Sequence, residues 1–234
     1  MKLARLSMLL AVLTVTSVNS NPKLRLSKER MVFQTDHGSI HMAFYPDVAP
    51  ITVAHIIKLG DLGAYNSVDF FRVDSGFVAQ VSEITNAREV PLDPIQKAEA
   101  EKRVPLEVLP EVKHERVGIL SMARSDDPNS GGSSFSILLG AAPHLDMQYA
   151  IFGEVTKGIE ALASMERVET KRDGIFVMPL ERISIRSTYM YVIDDTTTEE
   201  QVQCLDALSA LQTRYDLQAV QMQKEREKRN LPGN

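Results

Sequence analysis

The chain has 234 residues, 44% hydrophobic and 24% charged, long enough to bury a core and too ordinary in composition for a disordered or collagen-like protein. Its 26 basic and 31 acidic residues, net −5, argue against a nucleic-acid or anionic-membrane surface as the main partner. A single cysteine excludes a disulfide framework and a Cys-rich zinc site.

Lys2 and Arg5 precede a largely apolar run from Leu6 to Val18, and Val18-Asn19-Ser20 puts small residues where a signal peptidase reads. The run is too short to span a bilayer comfortably. Residues 1–20 therefore read as a cleaved secretory signal, whose loss removes two bases and no acid and takes the net charge from −5 to −7. The mature chain is expected in the secretory pathway (ER lumen, secreted or vacuolar), with no membrane contact after cleavage. Leu231-Pro232-Gly233-Asn234 is no ER-retention signal.

Met31-Val32-Phe33 and Ile40 to Phe44 flank the turn-forming Thr35-Asp36-His37-Gly38, the pattern of a β-hairpin. Pro50 and Thr52 open an amphipathic helix, with Val53, Ile56, Ile57 and Leu59 on one side, that ends near Gly60 or Gly63. Strands are expected at Val68 to Val73, Phe77 to Val81, Gly118 to Met122, Ser134 to Leu139, Ala150 to Val155 and Arg182 to Ser187, and a short helix at Ile159 to Met165. The fold class is mainly β, a closed antiparallel barrel.

Two regions break this rhythm. Residues 84–114 form a charged, Pro-punctuated insertion, helical at its centre from Pro94 to Arg103, which reads as a surface excursion. Residues 196–230 form a C-terminal helical extension. Thr197 to Glu200 reads as a capping box, and no Gly or Pro follows between Glu199 and Arg229. Cys204, Leu208, Leu211, Tyr215 and Met222 fall on one stripe of that helix, which packs on its own domain or joins two copies into a homodimer.

Phe70 to Gln80 (Phe-Phe-Arg-Val-Asp-Ser-Gly-Phe-Val-Ala-Gln) and Gly118 to Arg124 (Gly-Ile-Leu-Ser-Met-Ala-Arg) resemble the two signature segments of cyclophilin-type peptidyl-prolyl isomerases. Asp127 to Phe135 and Ala150 to Val155 continue the likeness, which covers about Met31 to Ser187 and sets the expected domain at residues 31–190. Four ordered segments are far more specific than one short motif. The resemblance implies an eight-stranded barrel capped by two helices, catalysis without a cofactor or metal, and proline-containing peptides or unfolded secretory proteins as partners. The whole chain looks like a divergent secretory cyclophilin of the kind found in plants.

The chemistry so implied is rotation about the X-Pro peptide bond, whose barrier is about 18–20 kcal/mol. No bond breaks. The transition state is a twisted amide with a more basic proline nitrogen, so a fixed cationic donor beside that nitrogen stabilises it more than the planar ground state. By resemblance the donor is Arg72, and Gln80 is the glutamine that anchors the substrate backbone and the arginine. Phe77 matches the aromatic floor of the proline pocket, Val78 replaces a methionine beside it, and Leu145 matches another apolar wall. Ala123 lies on the substrate path.

Other positions depart from the family pattern. The asparagine that holds substrate backbone aligns with Arg124, and a second glutamine aligns with Ser134. The aromatic residue that closes the pocket aligns with Ser136, with Phe135 adjacent. His144 stands at a common tryptophan and Tyr149 at a histidine. A serine hydroxyl in place of a phenyl ring forfeits roughly 2–3 kcal/mol of apolar contact. A non-catalytic proline-peptide binding module with an interacting tail is thus the rival reading.

Competing chemistries are weaker. Ser133 or Ser134 with His144 and Asp146 would be hydrolase-like, but Gly131-Gly132-Ser133-Ser134 lacks the Gly-x-Ser-x-Gly elbow. His37 and His41, four apart on a strand, would stand about 13 Å apart, too far to share a metal.

Overall fold

The computed structural model describes residues 24–194 and 198–229, so the expected signal lies outside it. Eleven strands are present among the described residues: β1 (Glu29–Thr35), β2 (Gly38–Phe44), β3 (Asp69–Asp74), β4 (Val78–Val81), β5 (Ile119–Met122), β6 (Phe135–Leu138), β7 (Ile151–Lys157), β8 (Thr170–Asp173), β9 (Phe176–Pro179), β10 (Ile183–Ser184) and β11 (Ser187–Val192). The helices are α1 (Pro50–Asp61), α2 (Ile84–Ala87), α3 (Pro94–Ala100), α4 (Ile159–Met165) and α5 (Glu199–Arg229).

Nine strands form one curled antiparallel sheet in the order β10-β3-β4-β6-β5-β7-β2-β1-β11. The expected count of eight in a closed barrel is corrected, because the last stretch breaks into β10 on one edge and β11 on the other. The chain between them spans the two edges: Ile185 exchanges backbone hydrogen bonds with Ser67 and Val68 on the β3 side, and Arg186 N–H donates to Gln34 O of β1. Alternate side chains point inward. Phe33, Tyr65, Phe135 and Phe152 meet there, with ring centroids 5.1–6.0 Å apart. Tyr65 satisfies its buried hydroxyl on Ser133 O at 2.8 Å.

The amphipathic pattern of α1 buries Val53, Ile56 and Leu59. Ala49 offers no side-chain cap at its start. Glu107 supplies one from the insertion, accepting from Ile51 N–H, Thr52 N–H and the Thr52 hydroxyl at 2.8–3.0 Å. An acceptor there satisfies amides that have no partner within the helix. The insertion is thus more than a surface excursion: Ile84, Ala100 and Val104 are buried in the main core, and His55 Nδ1 lies 3.0 Å from Glu99 Oε1.

The tail departs further from expectation. The capping box at the start of α5 is Thr198 with Gln201, each side chain bonded to the other's backbone N–H, while Thr197 lies outside the described residues. The helix does dock on its own domain, but through a polar seam. Asp206 accepts from Tyr189 Oη, its backbone carbonyl accepts from Gln34 Nε2 at 2.9 Å, Ser209 and Ser187 hydroxyls lie 3.3 Å apart, and Val202 is buried. The apolar stripe faces outward instead: Cys204 is exposed, as are Leu208, Leu211 and Met222. Among the described residues no helix is long and apolar enough to cross a membrane.

Candidate active site

The site begins with strand register. Directly paired residues share a sheet face, and Arg72 of β3 pairs with Gln80 of β4, Gln80 with Ser136 of β6, Ser136 with Ser121 of β5, and Ser121 with Ile151 of β7. This row crosses five strands on the side away from the aromatic core. A register shift between Phe70 and Arg72 marks a bulge in β3, and a bulge lets consecutive residues share a face. Phe70 is buried in the core, whereas Phe71 and Arg72 both line a cleft on the outer face.

That cleft has a volume of about 310 Å³. It gathers nine of the residues expected from sequence, namely Arg72, Phe77, Val78, Gln80, Ala123, Arg124, Ser136, Leu145 and Tyr149. The turn between β3 and β4 aims Phe77: Phe77 N–H donates to Asp74 O at 2.9 Å, and Gly76 takes φ +71, which glycine adopts at little cost. Phe135 faces the core, so the wall residue of β6 is Ser136.

Ser134 and His144 stand just outside the lining. The Ser134 hydroxyl donates to Val81 O at 2.7 Å and accepts from Gln80 Nε2 at 3.4 Å, while its N–H is held by Glu83 at 2.9 Å. His144 is exposed and lays its ring on Phe77 from outside, with centroids 5.4 Å apart. Gln80 is therefore steadied by Ser134, and the partner of Arg72 is Asp74, two residues along the same strand, with Nη2 to Oδ2 at 2.9 Å.

The Arg72 guanidinium carbon lies 5.2 Å from the Phe77 ring centre and 5.8 Å from that of Phe176. Its side chain is 14% exposed, and its Nε is buried with no hydrogen-bond partner among the described residues. The result is a charged plate fixed by two rings and one carboxylate.

Arg124, also on the lining, is tied to backbone carbonyls. Nε donates to Gln148 O and Nη1 to Ser125 O, both at 2.7 Å, and its guanidinium carbon lies 4.8 Å from the Tyr149 ring centre. It ties two loops together.

Sequence reasoning missed Phe71, Ser121, Met122, Ile175 and Phe176, which also line the cleft. Ile175 and Phe176 arrive on the β8–β9 hairpin, a separate two-stranded sheet, whose Asp173-Gly174 turn was the available signal. Ser121 belongs to a chain of polar groups that was missed too. Its hydroxyl lies 2.9 Å from His114 Nε2, and His114 Nδ1 lies 3.0 Å from Asp146 Oδ1. Burial pushes the His114 pKa down despite the opposing pull of Asp146. Burial pushes Asp146 up, but its bonds from His114 and the charge of Lys113 outweigh this and leave it lowered. His114 is thus held neutral, with Nδ1–H toward Asp146 and Nε2 toward the serine hydroxyl. Among the described residues no group of three or more His, Cys, Asp or Glu could hold a metal ion.

Comparison with known proteins gives this arrangement its setting. The family described as "Cyclophilin type peptidyl-prolyl cis-trans isomerase/CLD" matches residues 30–190. The chain is 53% identical over 203 residues to peptidyl-prolyl cis-trans isomerase CYP23 of Arabidopsis thaliana, covering 87% of this chain and 86% of the relative. A peptidyl-prolyl cis-trans isomerase-like 1 of Rhizopus delemar is 33% identical over 152 residues, covering 64% of this chain and 88% of the relative. Among solved structures, a cyclophilin type peptidyl-prolyl cis-trans isomerase of Cryptosporidium parvum, crystallised in the presence of the dipeptide Ala-Pro, is similar with a TM-score of 0.60 and 25% identity, over 70% of this chain and 99% of that one.

Proposed function

The chain belongs to the cyclophilin-type peptidyl-prolyl cis-trans isomerases, and we propose that it turns X-Pro bonds in unfolded proteins of the secretory pathway and so assists their folding. The observation that carries the chemical part is Arg72, which lines the cleft beside Phe77 and Phe176 with Nη2 held by Asp74. The secretory part is supported by the export-like pattern of residues 1–20.

The proline ring rests against Phe77, Val78 and Leu145, which line the cleft beside Arg72. As the amide twists, its nitrogen gains basicity, and the fixed guanidinium offers it a hydrogen bond that the planar ground state receives poorly. Gln80, steadied by Ser134, holds the neighbouring backbone. Rotation needs no group to gain or lose a proton for good. The Cryptosporidium relative studied with Ala-Pro supports a proline-containing ligand for this cleft.

Ser136 favours a second reading, a binding module with weak turnover, since its hydroxyl leaves one wall of the proline site polar. An isomerisation assay on a panel of X-Pro peptides separates the two. Turnover above the uncatalysed rate supports the enzyme, and binding without acceleration supports the module.

The outward stripe of Cys204, Leu208, Leu211 and Met222 supports pairing of α5 with a second copy. Light scattering of the full chain, Cys204→Ser and a chain ending at Asp195 tests this. Three monomers would end the idea.

A further inference from the structure

Ile175 is 71% exposed and Phe176 38% exposed, at the tip of the β8–β9 hairpin. Such apolar exposure is costly when it is clustered beside a binding cleft. Both residues line the cleft that holds Arg72. Phe176 packs on Phe71, with ring centroids 5.6 Å apart, and Phe71 is the residue that the β3 bulge turns out of the barrel. A surface of Phe71, Ile175 and Phe176 therefore continues the cleft beside Arg72.

We propose that this surface is an accessory subsite for a large apolar side chain of the peptide, aliphatic or aromatic, lying within three residues of the proline; the proposal rests on the isomerase reading of the cleft. The reach follows from distance. Phe77 and Phe176 lie 5.2 and 5.8 Å from the same guanidinium carbon, so their ring centres are no more than 11 Å apart. An extended chain advances about 3.3 Å per residue, so three residues cover about 10 Å, and the reach of a large side chain supplies the rest of that span. The occupant follows from continuity: one peptide lying along one cleft meets Phe77 at its proline and Phe176 beside Arg72. The subsite also gives the hairpin a second effect, since an apolar side chain seated on Phe176 removes water from beside the guanidinium.

The test measures kcat/KM for the full chain on Gly-flanked Ala-Pro peptides carrying a single Leu, Phe or Ser at each of the three positions on either side of the dipeptide. One position should show a preference for Leu or Phe over Ser of about tenfold, carried mainly by KM. Ile175→Ser and Phe176→Ala should shrink that ratio toward one, and Phe176→Leu should restore most of it. Because Ile175 is so exposed, its replacement leaves no hole in the core, and an unchanged Tm verifies this. Equal kcat/KM at every position, or a ratio that survives both substitutions, overturns the subsite while leaving the isomerase standing. If no peptide is turned over, the isomerase reading fails. Calorimetric binding of the same Leu and Ser pairs to wild type and Ile175→Ser then decides the subsite by the ratio of Kd values.

Discussion

Arg72 and Arg124 line one cleft and carry the same group, but are held by different partners. Arg72 is fixed by ring faces and charge: the rings of Phe77 and Phe176 within 6 Å, and Asp74 beside it. Arg124 is fixed by its own donors, given to the carbonyls of Gln148 and Ser125. A guanidinium has five N–H donors in a rigid plane, so how it is immobilised decides what it can still do. Both stack on rings, but Arg72 gives Nη2 to a carboxylate, whereas Arg124 gives Nε and Nη1 to backbone carbonyls and so acts as a strut.

The largest effect expected from this contrast is at Arg72. Losing a preorganised donor of this kind costs about 2.7–4 kcal/mol, or a hundredfold to a thousandfold in rate. Arg72→Ala should lower kcat/KM on an X-Pro peptide by about that factor, with Tm little changed. Arg72→Lys should rescue little, because a flexible ammonium does not reproduce the stacked plane. Stopped-flow isomerisation kinetics with a melting curve for each variant supply the check. An Arg72→Ala variant that folds and keeps full kcat/KM would break the contrast outright.

Arg124→Ala should act the other way round. Two charge-assisted bonds to carbonyls vanish, about 1–3 kcal/mol of stability, and Tm should drop by several degrees. The loops carrying Gln148 and Ser125 then loosen, so KM should rise a few-fold while kcat holds. A fall in kcat as large as that for Arg72→Ala would mean that both arginines serve the chemistry.

The parts of the cleft also differed in how much of them could be read from the chain. Arg72 and Phe77 were legible through the resemblance of Phe-Arg-Val-x-x-Gly-Phe to a family signature, and that short segment suffices because both residues lie on one local unit, a strand and the turn at Gly76. Phe176, the second ring beside Arg72, was invisible for the opposite reason. Thr170 to Asp173 is polar and fully exposed, so β8 shows no alternation, and only Asp173-Gly174 hinted at a hairpin. The barrel strands, α1 and α4 were legible from their apolar periods. The docking face of α5 was not, because Asp206 and Ser209 on a helix read as solvated, while the stripe that read as core stayed in water. His114 and Asp146, 32 residues apart, meet only once the barrel has formed, and no spacing rule links them to Ser121.

The contrast between the two arginines predicts that acidification reaches the protein through other groups. Two buried histidines qualify. Burial lowers the pKa of His114, against the pull of Asp146 and with a further push from His144. Burial likewise lowers that of His41, whose surroundings hold Asp206 and Glu160, which oppose the shift, and Lys157, which adds to it. In the unfolded chain both titrate near 6.5. Between the lowered folded values and 6.5 the unfolded state therefore binds more protons, so stability is fully present above that range and declines as pH falls through it. At pH 5.5 each site can cost at most about 1.4 kcal/mol. Tm should hence be flat from pH 8 to 7 and fall from pH 6.5 to 5.5, before the lowered carboxylates of Asp36, Asp47 and Asp146 begin to titrate. His114→Gln should flatten that decline by its own share, and the slope that remains belongs to His41, at the docking seam of α5. If the wild-type Tm does not move across this range, the two rings are not held neutral and the polar chain beneath Ser121 is wired differently from the one described above.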